Sequence, residues 1–480
     1  MQLNKEILEK FISPDNSNRE SVQETISKLT SQILDFLTDA SNYSPYPAFT
    51  RFTDPYFTIP DLPKKDVQLT ESVKEILAHS MNAANPKYIG HMDSIPTLWS
   101  ILGDYLASAI NNNLLSLEMS PFLTQLEYSI TKQFSTLFGL PDASGGILLS
   151  GGTLSNLQAL IVARNEVLHT PNGNCFSLQK EPVIIASEHA HASIQKIAML
   201  LGIGRENVVK VKTTQDAKMD IADLEYQVTN LLASGKQPFA IVATAGTTVS
   251  GTIDSLLDIS ALAKKYSLWV HIDAIYGGAL IFSQKYTHLL AGIEHADSIS
   301  FNPQKWLFVA KTCSMVLFRD FQNMVKSFQV AAPYMKAQPE FINLGEISIQ
   351  GTKKAEVLKL WLSLTSIGKQ GYEQLIDYNL HLTKIFTEEL SKRTYLKVSS
   401  QPELNIVCFR GEPEYIGDHA YDQWNEQLQG YLLKNAGYFI SLPTYKNNVW
   451  LRVVLLNPFF KKEHINVLFE HIDAFEKTYR

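Results

Sequence analysis

The sequence has 480 residues, of which 45% are hydrophobic and 19% are charged, with 24 Gly and 20 Pro. This composition excludes a disordered, collagen-like or low-complexity chain and allows about two to four globular domains. The net charge is −6 and no run of five basic residues occurs, which argues against a nucleic-acid-binding protein. Cys175, Cys313 and Cys408 are odd in number and far apart, so we expect neither a disulfide framework nor a zinc knuckle, and a reducing cytoplasm fits.

The N-terminal region is predicted to be a helical arm followed by an extended connector. Between residues 20 and 37, apolar side chains recur every three or four positions, which indicates a helix with one apolar stripe: Val22, Ile26, Leu29, Ile33 and Phe36. Five prolines between Pro45 and Pro63 then disfavour both helix and strand. The start lacks an apolar signal region, and the longest apolar stretch, residues 268–282, is interrupted by a histidine and an aspartate. We therefore expect neither a signal peptide nor a membrane span.

The middle of the chain alternates short apolar runs with helical patterns. Such runs predict a largely parallel sheet covered on both faces, with strands at 183–187, 208–211, 239–244, 268–272, 298–301 and 315–318. A helix from about residue 352 is predicted to end at Gly368. A strand at 450–456 and a last amphipathic helix predict a smaller C-terminal α+β domain. The expected division is an arm and connector (1–84), a large domain (85–368) and a small domain (369–480).

The first polar feature at a predicted strand end is the segment 150–156, Ser-Gly-Gly-Thr-Leu-Ser-Asn. Its glycines permit a ligand to approach the backbone, and the following helix offers free N–H groups to an anion. The segment can therefore bind a phosphate, although a turn that merely caps the helix would look the same. It matches neither the P-loop nor the G-x-G-x-x-G pattern.

Three further polar residues follow predicted strands. Asp273 would need a cation or several donors, and a structural aspartate bonded to loop amides is the alternative. Lys305 would be desolvated, which lowers the pKa of its amine and makes it a Schiff-base nucleophile, whereas most lysines are surface charges. His191 could stack on a planar ring; the His189-x-His191 pair could instead bind a metal, but no further ligands cluster with it, and we expect none. A phosphate site, an aldehyde-capturing lysine and a carboxylate for a pyridinium nitrogen together indicate pyridoxal 5'-phosphate (PLP).

Five segments resemble, in order, motifs of the group II PLP-dependent amino-acid decarboxylases, at 151–156, 187–193, 243–254, 271–278 and 297–307. That family includes the aromatic amino-acid, glutamate, sulfinoalanine and diaminobutyrate decarboxylases. The similarity runs from about residue 85 to the final helix. It implies an α/β fold of the PLP-dependent transferase type (fold type I, like aspartate aminotransferase), with a helical arm and a small C-terminal domain.

The resemblance also implies the roles of individual residues. Lys305 would hold PLP as a Schiff base, Asp273 would pair with the pyridine nitrogen, and His191 would stack on the ring. Tyr334 corresponds to a mobile-loop tyrosine that protonates Cα after carbon dioxide leaves, so the products would be CO2 and a primary amine. Further cofactor contacts are expected from Gly151, Gly152, Thr153, Thr247, Ile275, Asn302 and Gln304.

Two of these positions depart from the family pattern. Gln304 stands where the family usually has a histidine, so any proton-transfer role of that histidine is absent. Ile275 stands where the family usually has alanine, and its extra carbons could tilt PLP or narrow the pocket. Neither change removes a group that decarboxylation requires.

The expected substrate is a small polar L-amino acid, either acidic or diamino. Arg452 matches an arginine that binds the distal carboxylate in glutamate-type members, and a domain-interface ion pair is its alternative role. His91, Asp93 and Asn113 fall in segments that line the substrate pocket in the family, and Asp93 could accept a terminal amine. The segment around Asn113 lacks the aromatic residues that would hold a catechol or indole.

Several alternatives remain open at this stage. An aromatic amino-acid decarboxylase, an aldehyde synthase or an aminotransferase shares the cofactor contacts, although Tyr334 disfavours the last two. A non-catalytic PLP-fold protein would be expected to lack Lys305 or Asp273, and an NAD-dependent dehydrogenase would need a Rossmann fingerprint. The family resemblance implies a cytoplasmic homodimer in which the N-terminal helices wrap the partner and the active site lies at the interface. We expect no nucleic-acid or membrane partner.

Overall fold

The structure is a computed structural model that describes residues 5–48, 59–170, 173–330 and 341–479. Its N-terminal part consists of helices α1 (Lys5–Leu8), α2 (Arg19–Thr38) and α3 (Asp66–Ala78). Helix α2 confirms the predicted arm helix, but none of its side chains is buried. The apolar stripe faces outward in the single chain, with Ile26 and Leu29 exposed by 37% and 39%. The predicted connector lies partly outside the described residues, and 59–65 contains neither helix nor strand.

A seven-stranded sheet forms the centre of the molecule. Its strands are β1 (Gly145–Leu149), β2 (Pro182–Ser187), β3 (Val208–Val211), β4 (Gln237–Thr244), β5 (Trp269–Asp273), β6 (Ser298–Phe301) and β7 (Ser314–Phe318). The spatial order is β1-β7-β6-β5-β4-β2-β3. Strand β7 is antiparallel to both neighbours and the other pairs are parallel, so the prediction of a largely parallel sheet is confirmed. Strand β1 was not predicted, because the two glycines that begin it have low strand propensity.

Helices cover this sheet, and the strands β1, β5, β6 and β7 are buried along their whole length. The helices are α4 (Leu98–Ile110), α5 (Pro121–Leu137), α6 (Gly152–Val167), α7 (Ser193–Leu200), α8 (Ile221–Ala233), α9 (Leu256–Tyr266) and α10 (Phe321–Phe328). Short 3-10 turns join them at Ala40–Asn42, Arg205–Asn207, Gly277–Phe282, Thr287–Leu290, Ile293–His295 and Leu344–Glu346. Across the described ranges, no helix combines the length and apolar character that crossing a membrane requires.

The long helix α11 (Glu356–Ser391) leads from the large sheet to the C-terminal region. Its helical geometry is interrupted at Gly368, where φ is 70° and ψ is 167°, so the predicted helix end is a break within a longer element. The C-terminal region contains β8 (Leu396–Val398), β9 (Ile406–Gly411), α12 (Tyr421–Tyr431), β10 (Thr444–Tyr445), β11 (Asn448–Val449), β12 (Leu451–Val454) and α13 (Lys462–Tyr479), with a 3-10 turn at Asp418–Ala420 and a π turn at Leu432–Ala436.

Strands β12, β9 and β8 form an antiparallel sheet in that order. A second hydrophobic core, built around Phe386, Trp424 and Phe469, lies between this sheet and the helices beside it. The region has its own core, as expected for the predicted small α+β domain. The first core nevertheless extends past Gly368 into this region, through Leu380 and as far as Leu456.

Candidate active site

A cavity lies at the edge of the sheet where β1, β4, β5 and β6 end, which is where ligands bind in parallel sheets. It contains about 570 Å³ of empty space. Residues that the sequence singled out form much of its wall: Gly152, Thr153, His191, Asp273, Ile275, Asn302 and Lys305. The structure adds residues that sequence reasoning missed: Met92, Thr244, Gly246, Thr248 and Tyr276. The topology therefore brings separate sequence motifs together around one space.

Asp273 is the last residue of β5 and is 6% exposed. One carboxylate oxygen accepts a hydrogen bond from the backbone N–H of Ile275 at 3.2 Å. The other accepts one from the side-chain amide of Asn156 at 2.9 Å. These two donors hold a buried carboxylate in one orientation at the cavity wall, where it can meet a cationic group of a ligand.

Lys305 follows β6 and directs its amine into the same cavity. Its Nζ lies 3.6 Å from the Met92 sulfur and 5.9 Å from the centroid of the Tyr276 ring. Burial lowers the pKa of the Lys305 amine below its usual value, while Asp273 and Asp93 act in the opposite direction. The lowered pKa increases the fraction of neutral amine, the form that attacks an aldehyde.

His191 lies just before α7, and its ring orientation is set by a neighbour. The Nδ1 atom is 3.2 Å from the backbone N of Ser193 and 2.9 Å from the Ser193 hydroxyl. Because a backbone N–H can only donate, Nδ1 is the acceptor, and a neutral His191 carries its proton on Nε2. The imidazole is thus held in place at the cavity wall.

The N-terminus of α6 forms one end of the cavity and can bind an anion through the N–H groups of its first turn. A Cβ added at Gly152 would lie 2.3 Å from Cδ1 of Ile275, so the first helical position needs glycine as long as Ile275 stands opposite. A Cβ added at Gly151 would meet nothing within 4 Å. Asn302 is fixed beside this turn because its carbonyl oxygen accepts a hydrogen bond from Ser314 at 2.5 Å.

Two predicted cofactor residues have their side-chain oxygens engaged outside the cavity. The hydroxyl of Thr247 lies 2.6 Å from that of Ser250, and it is the neighbouring Thr244 and Thr248 that line the cavity. The side-chain oxygen of Gln304 accepts a hydrogen bond from the backbone N–H of Cys313 at 2.5 Å. Neither Thr247 nor Gln304 is among the residues that form the cavity wall.

Arg452, on β12, reaches across to the same region and is almost fully engaged by the protein. Its guanidinium donates to the carbonyls of Thr248 and Gly90 at 2.7 and 2.9 Å, and to the Ser441 hydroxyl at 3.0 Å. A fourth N–H donates to Nδ1 of His91 at 3.0 Å. Since an arginine has five N–H groups, one remains for a ligand. Burial and then the Arg452 charge lower the pKa of His91, so His91 stays a neutral acceptor.

Asp93 and Lys311 form an ion pair beside Lys305. Asp93 also accepts a hydrogen bond from the Tyr88 hydroxyl at 3.4 Å. The Lys311 side chain is 51% exposed and close enough to lower the pKa of both His91 and Lys305. Sequence reasoning had not identified Lys311, because nothing in its local sequence distinguishes it from a surface lysine.

Asn113, a predicted substrate residue, does not line the cavity. The side-chain oxygen of Asn113 accepts hydrogen bonds from the backbone N–H groups of Leu115 and Lys353, at 3.0 and 3.1 Å. Tyr334 lies outside the described residues. Within the part of the chain that the structure describes, no group of three or more His, Cys, Asp or Glu side chains lies together as a metal site would require.

The cavity fits PLP in the groups that it presents. The anion-binding end of α6 suits the phosphate, Lys305 suits the aldehyde, and the carboxylate of Asp273 suits the ring nitrogen. The Thr244 hydroxyl supports this fit independently: it lines the cavity and is buried without a hydrogen-bond partner. A polar ligand in the cavity would supply that partner.

Comparison with known proteins gives a consistent result. A family model described as the pyridoxal-dependent decarboxylase conserved domain matches residues 54–412. The chain is 29% identical over 420 residues to an acidic amino acid decarboxylase of Xenopus tropicalis, covering 85% of this chain and 82% of that protein. It is also 29% identical over 482 residues to the L-2,4-diaminobutyrate decarboxylase of Rhizobium meliloti, covering 98% and 94%. The crystal structure of mouse CSAD is similar with a TM-score of 0.87 at 25% identity, covering 95% of this chain and 98% of that one.

Proposed function

The chain belongs to the pyridoxal-dependent decarboxylase family and is a PLP-dependent amino-acid decarboxylase, and from this premise we propose that it acts on an acidic L-amino acid. One observation carries the choice of substrate. Two cations, Arg452 and Lys311, stand near the Lys305 amine, and the carboxylate beside them, Asp93, is already paired with Lys311. With Asp273 assigned to the cofactor ring nitrogen, the two cations face one remaining carboxylate, and a second carboxylate brought by a substrate is attracted to the net positive charge.

We assign the following roles to the residues around the cofactor. When bound, PLP supplies the electron sink for the electrons released as carbon dioxide leaves Cα. The Lys305 amine would hold the aldehyde carbon of the cofactor. The Asp273 carboxylate keeps the ring nitrogen protonated, and His191 packs against the ring. The first turn of α6 binds the phosphate through backbone N–H groups and Thr153.

The last proton transfer is to Cα of the substrate, and we propose that Tyr334 donates this proton. As the family resemblance implies, the Tyr334 hydroxyl would donate its proton to Cα after carbon dioxide has left and before the amine is released. Clean amine formation, without transamination or oxidation, depends on that order of events. This role remains a proposal from the family resemblance.

The distal carboxylate of the substrate is proposed to meet Lys311 and the one free N–H of Arg452. Arg452 acts mainly as a fixed positive charge, because four of its five N–H groups already bind the protein. Lys311 is half exposed and able to adjust to the substrate. Arg452 therefore does not bind the distal carboxylate through two N–H groups, because it has too few free donors.

A diamino acid is the second candidate substrate. Asp93 carries a negative charge next to Lys305, and a terminal ammonium could displace Lys311 from it. The similarity to a diaminobutyrate decarboxylase over 98% of this chain favours the same substrate class. The two candidates differ in which member of the Asp93–Lys311 pair binds the substrate.

The test is to incubate the purified protein with a panel of L-amino acids and to measure CO2 release and product amine. The panel contains aspartate, glutamate, cysteine sulfinate, 2,4-diaminobutyrate, tyrosine and tryptophan. We expect the highest kcat/KM with an acidic substrate, and the Lys311→Met variant should raise its KM by about tenfold because one charged contact is lost. Asp93→Asn serves as the matched variant. If Asp93→Asn impairs turnover, Lys311→Met does not, and the preferred substrate is diaminobutyrate, the acidic assignment is wrong.

Reduction with borohydride tests the cofactor assignment separately. The reduced protein should carry one pyridoxyl group, and peptide mapping should place it on Lys305. A pyridoxyl group on another lysine, or none, would contradict the assigned role of Lys305.

We further propose that the enzyme is a cytoplasmic homodimer with its active sites at the subunit interface. The apolar stripe of α2 and the exposed apolar residues of α4, among them Trp99 and Leu102, support this assembly, since such surfaces usually mark an interface. The three cysteines are unpaired, which suits a reducing compartment.

A further inference from the structure

Behind the carboxylate of Asp273, four buried side chains form a continuous line of hydrogen bonds. Asn156 Nδ2 lies 2.9 Å from Asp273, and its Oδ1 lies 3.0 Å from Nε2 of His271. Nδ1 of His271 lies 2.9 Å from the Ser298 hydroxyl, which in turn lies 2.8 Å from the indole Nε1 of Trp269. Asn156, His271 and Ser298 are fully buried, so these bonds form away from water.

The secondary structure brings this line together in a simple way. Trp269, His271 and Asp273 alternate along β5 and therefore share one face of the sheet. Ser298 is paired with His271 across the neighbouring parallel strand β6. Asn156 comes from α6, one turn after the Gly152 end of the helix. The helix that presents its N-terminus to the cavity thus also braces the carboxylate of Asp273.

The direction of every hydrogen bond in the line follows from the chemistry of its ends. An ionised carboxylate only accepts, so Asn156 must turn its NH2 group toward Asp273 and its oxygen toward His271. His271 Nε2 must then carry the proton, and Nδ1 of a neutral ring must accept from the Ser298 hydroxyl. The indole N–H of Trp269 only donates, and the Ser298 oxygen accepts it. The Asp273 end fixes this direction and the Trp269 end is compatible with it, which resolves the amide and imidazole orientations.

We propose that Asn156 and His271 are positioning residues for Asp273, held by Ser298 and Trp269 in a one-way line of hydrogen bonds that keeps the carboxylate aimed at the cofactor ring nitrogen. The proposal rests on the assigned role of Asp273. Burial lowers the pKa of His271 to about 4, in keeping with the neutral ring that the line requires. Donation from Asn156 fixes one carboxylate oxygen of Asp273 and leaves the remaining acceptor capacity of the carboxylate for a ligand.

The first test measures cofactor affinity and steady-state kinetics of the full-length enzyme. In Asn156→Leu we expect about a tenfold or greater rise in the dissociation constant of PLP, because a hydrogen bond to a charged group is lost. The value of kcat should fall while the KM for the amino acid stays within about twofold of wild type. His271→Gln keeps an N–H donor toward Asn156 and should restore part of what His271→Phe removes.

The matched control is Gln158→Leu on the same helix. Gln158 is a fully buried amide whose hydrogen bonds, at 2.8 and 3.1 Å, are to Ile347 and Ile349 and not to a member of the line. Its loss should lower the melting temperature as Asn156→Leu does, without changing PLP affinity. Equal PLP affinities of Asn156→Leu and Gln158→Leu would overturn the positioning role.

Asp273→Asn, measured in parallel, separates this proposal from the proposed function. If Asp273→Asn weakens PLP binding and Asn156→Leu does not, the line is only structural and the role of Asp273 stands. If Asp273→Asn binds PLP as tightly as wild type, the assigned role of Asp273 fails and the positioning role fails with it.

A second measurement tests the direction of the hydrogen bonds without relying on a loss of activity or of PLP binding. Nitrogen-15 NMR of histidine-labelled holoenzyme, with the His271 signal identified by its absence in His271→Gln, should show a neutral ring protonated on Nε2 at pH 7. A ring protonated on Nδ1, or on both nitrogens, would overturn the proposed direction of the hydrogen bonds.

Discussion

At the scale of single residues, the cavity depends on side chains that are held in one state before any ligand arrives. Asp273 has two donors, His191 has a defined acceptor nitrogen, and Arg452 has four of its five N–H groups engaged. Such preorganisation means that binding does not have to order these groups. Burying such polar groups also lowers the stability of the folded protein, and for a titratable group this effect on the free energy of unfolding depends on pH.

The buried imidazole of His271 provides a test of this effect on stability. Its pKa is about 4 in the folded chain and about 6.5 in an unfolded chain. Between these values the unfolded chain binds a proton that the folded chain does not, so the free energy of unfolding falls as the pH drops from about 6.5 to 4. The contribution of neutral His271 to the free energy of unfolding is fully present above about pH 6.5.

The variant His271→Gln has no titratable group at this position. Between pH 7 and 4.5, its free energy of unfolding should therefore fall by about 2–3 kcal/mol less than that of wild type. Wild type should be the more stable protein at pH 7, and its advantage in melting temperature, followed by circular dichroism, should shrink toward pH 4.5. A difference in melting temperature that stays constant over this range would contradict a neutral, buried His271.

At the scale of elements, α11 shows how one residue shapes a long helix. Gly368 has φ 70° and ψ 167°, a conformation essentially restricted to glycine, and a Cβ added there would meet nothing within 4 Å. The break therefore reflects backbone conformation and not crowding. It lies within the part of α11 that belongs to the first core, which continues past it to Leu380 on the same helix, and it changes the direction of the helix there.

Gly368→Ala should destabilise the protein by about 1–3 kcal/mol through backbone strain alone. Gly430 in α12 is the control, because an added Cβ there also meets nothing within 4 Å but the backbone is helical. Gly430→Ala should stabilise the protein by up to about 1 kcal/mol. Melting temperatures of both variants check the pair, and shifts of the same sign would refute the strain argument.

At the scale of the whole molecule, the N-terminal half exposes apolar side chains among the residues that the structure describes. Ile33 in α2 is 36% exposed and Trp99 in α4 is 48% exposed. Soluble monomers seldom expose such side chains in continuous groups, because burying them against a partner is favourable. The proposed homodimer provides that cover.

Sedimentation equilibrium should therefore show a dimer at micromolar concentration. The double substitution Leu29→Glu and Ile33→Glu should weaken the dimer by at least about tenfold and lower activity with it, since each buried charge lacks a partner. Ser27→Glu, at an exposed polar position of the same helix, should leave the dimer intact. A wild-type protein that is monomeric and fully active would rule out the interface site.

The amino-acid sequence by itself determined the chemistry and the fold class of this protein. Short apolar runs marked six of the seven strands of the central sheet, and because most of these strands are parallel, the polar residues that follow them meet at one edge. Lys305, Asp273, His191 and the Gly152 turn could therefore be assigned to one cavity from their positions after strands, and the ordered motifs identified PLP and decarboxylation.

Only the tertiary structure decided which neighbours these residues have. Thr244 and Thr248 line the cavity, whereas the Thr247 hydroxyl is hydrogen-bonded to Ser250. The engaged donors of Arg452 and the line from Trp269 to Asp273 join residues far apart in the sequence. Local patterns set the periodicity of a strand or helix and so the position of a side chain, but its hydrogen-bond partners come from other elements and appear only when the chain has folded.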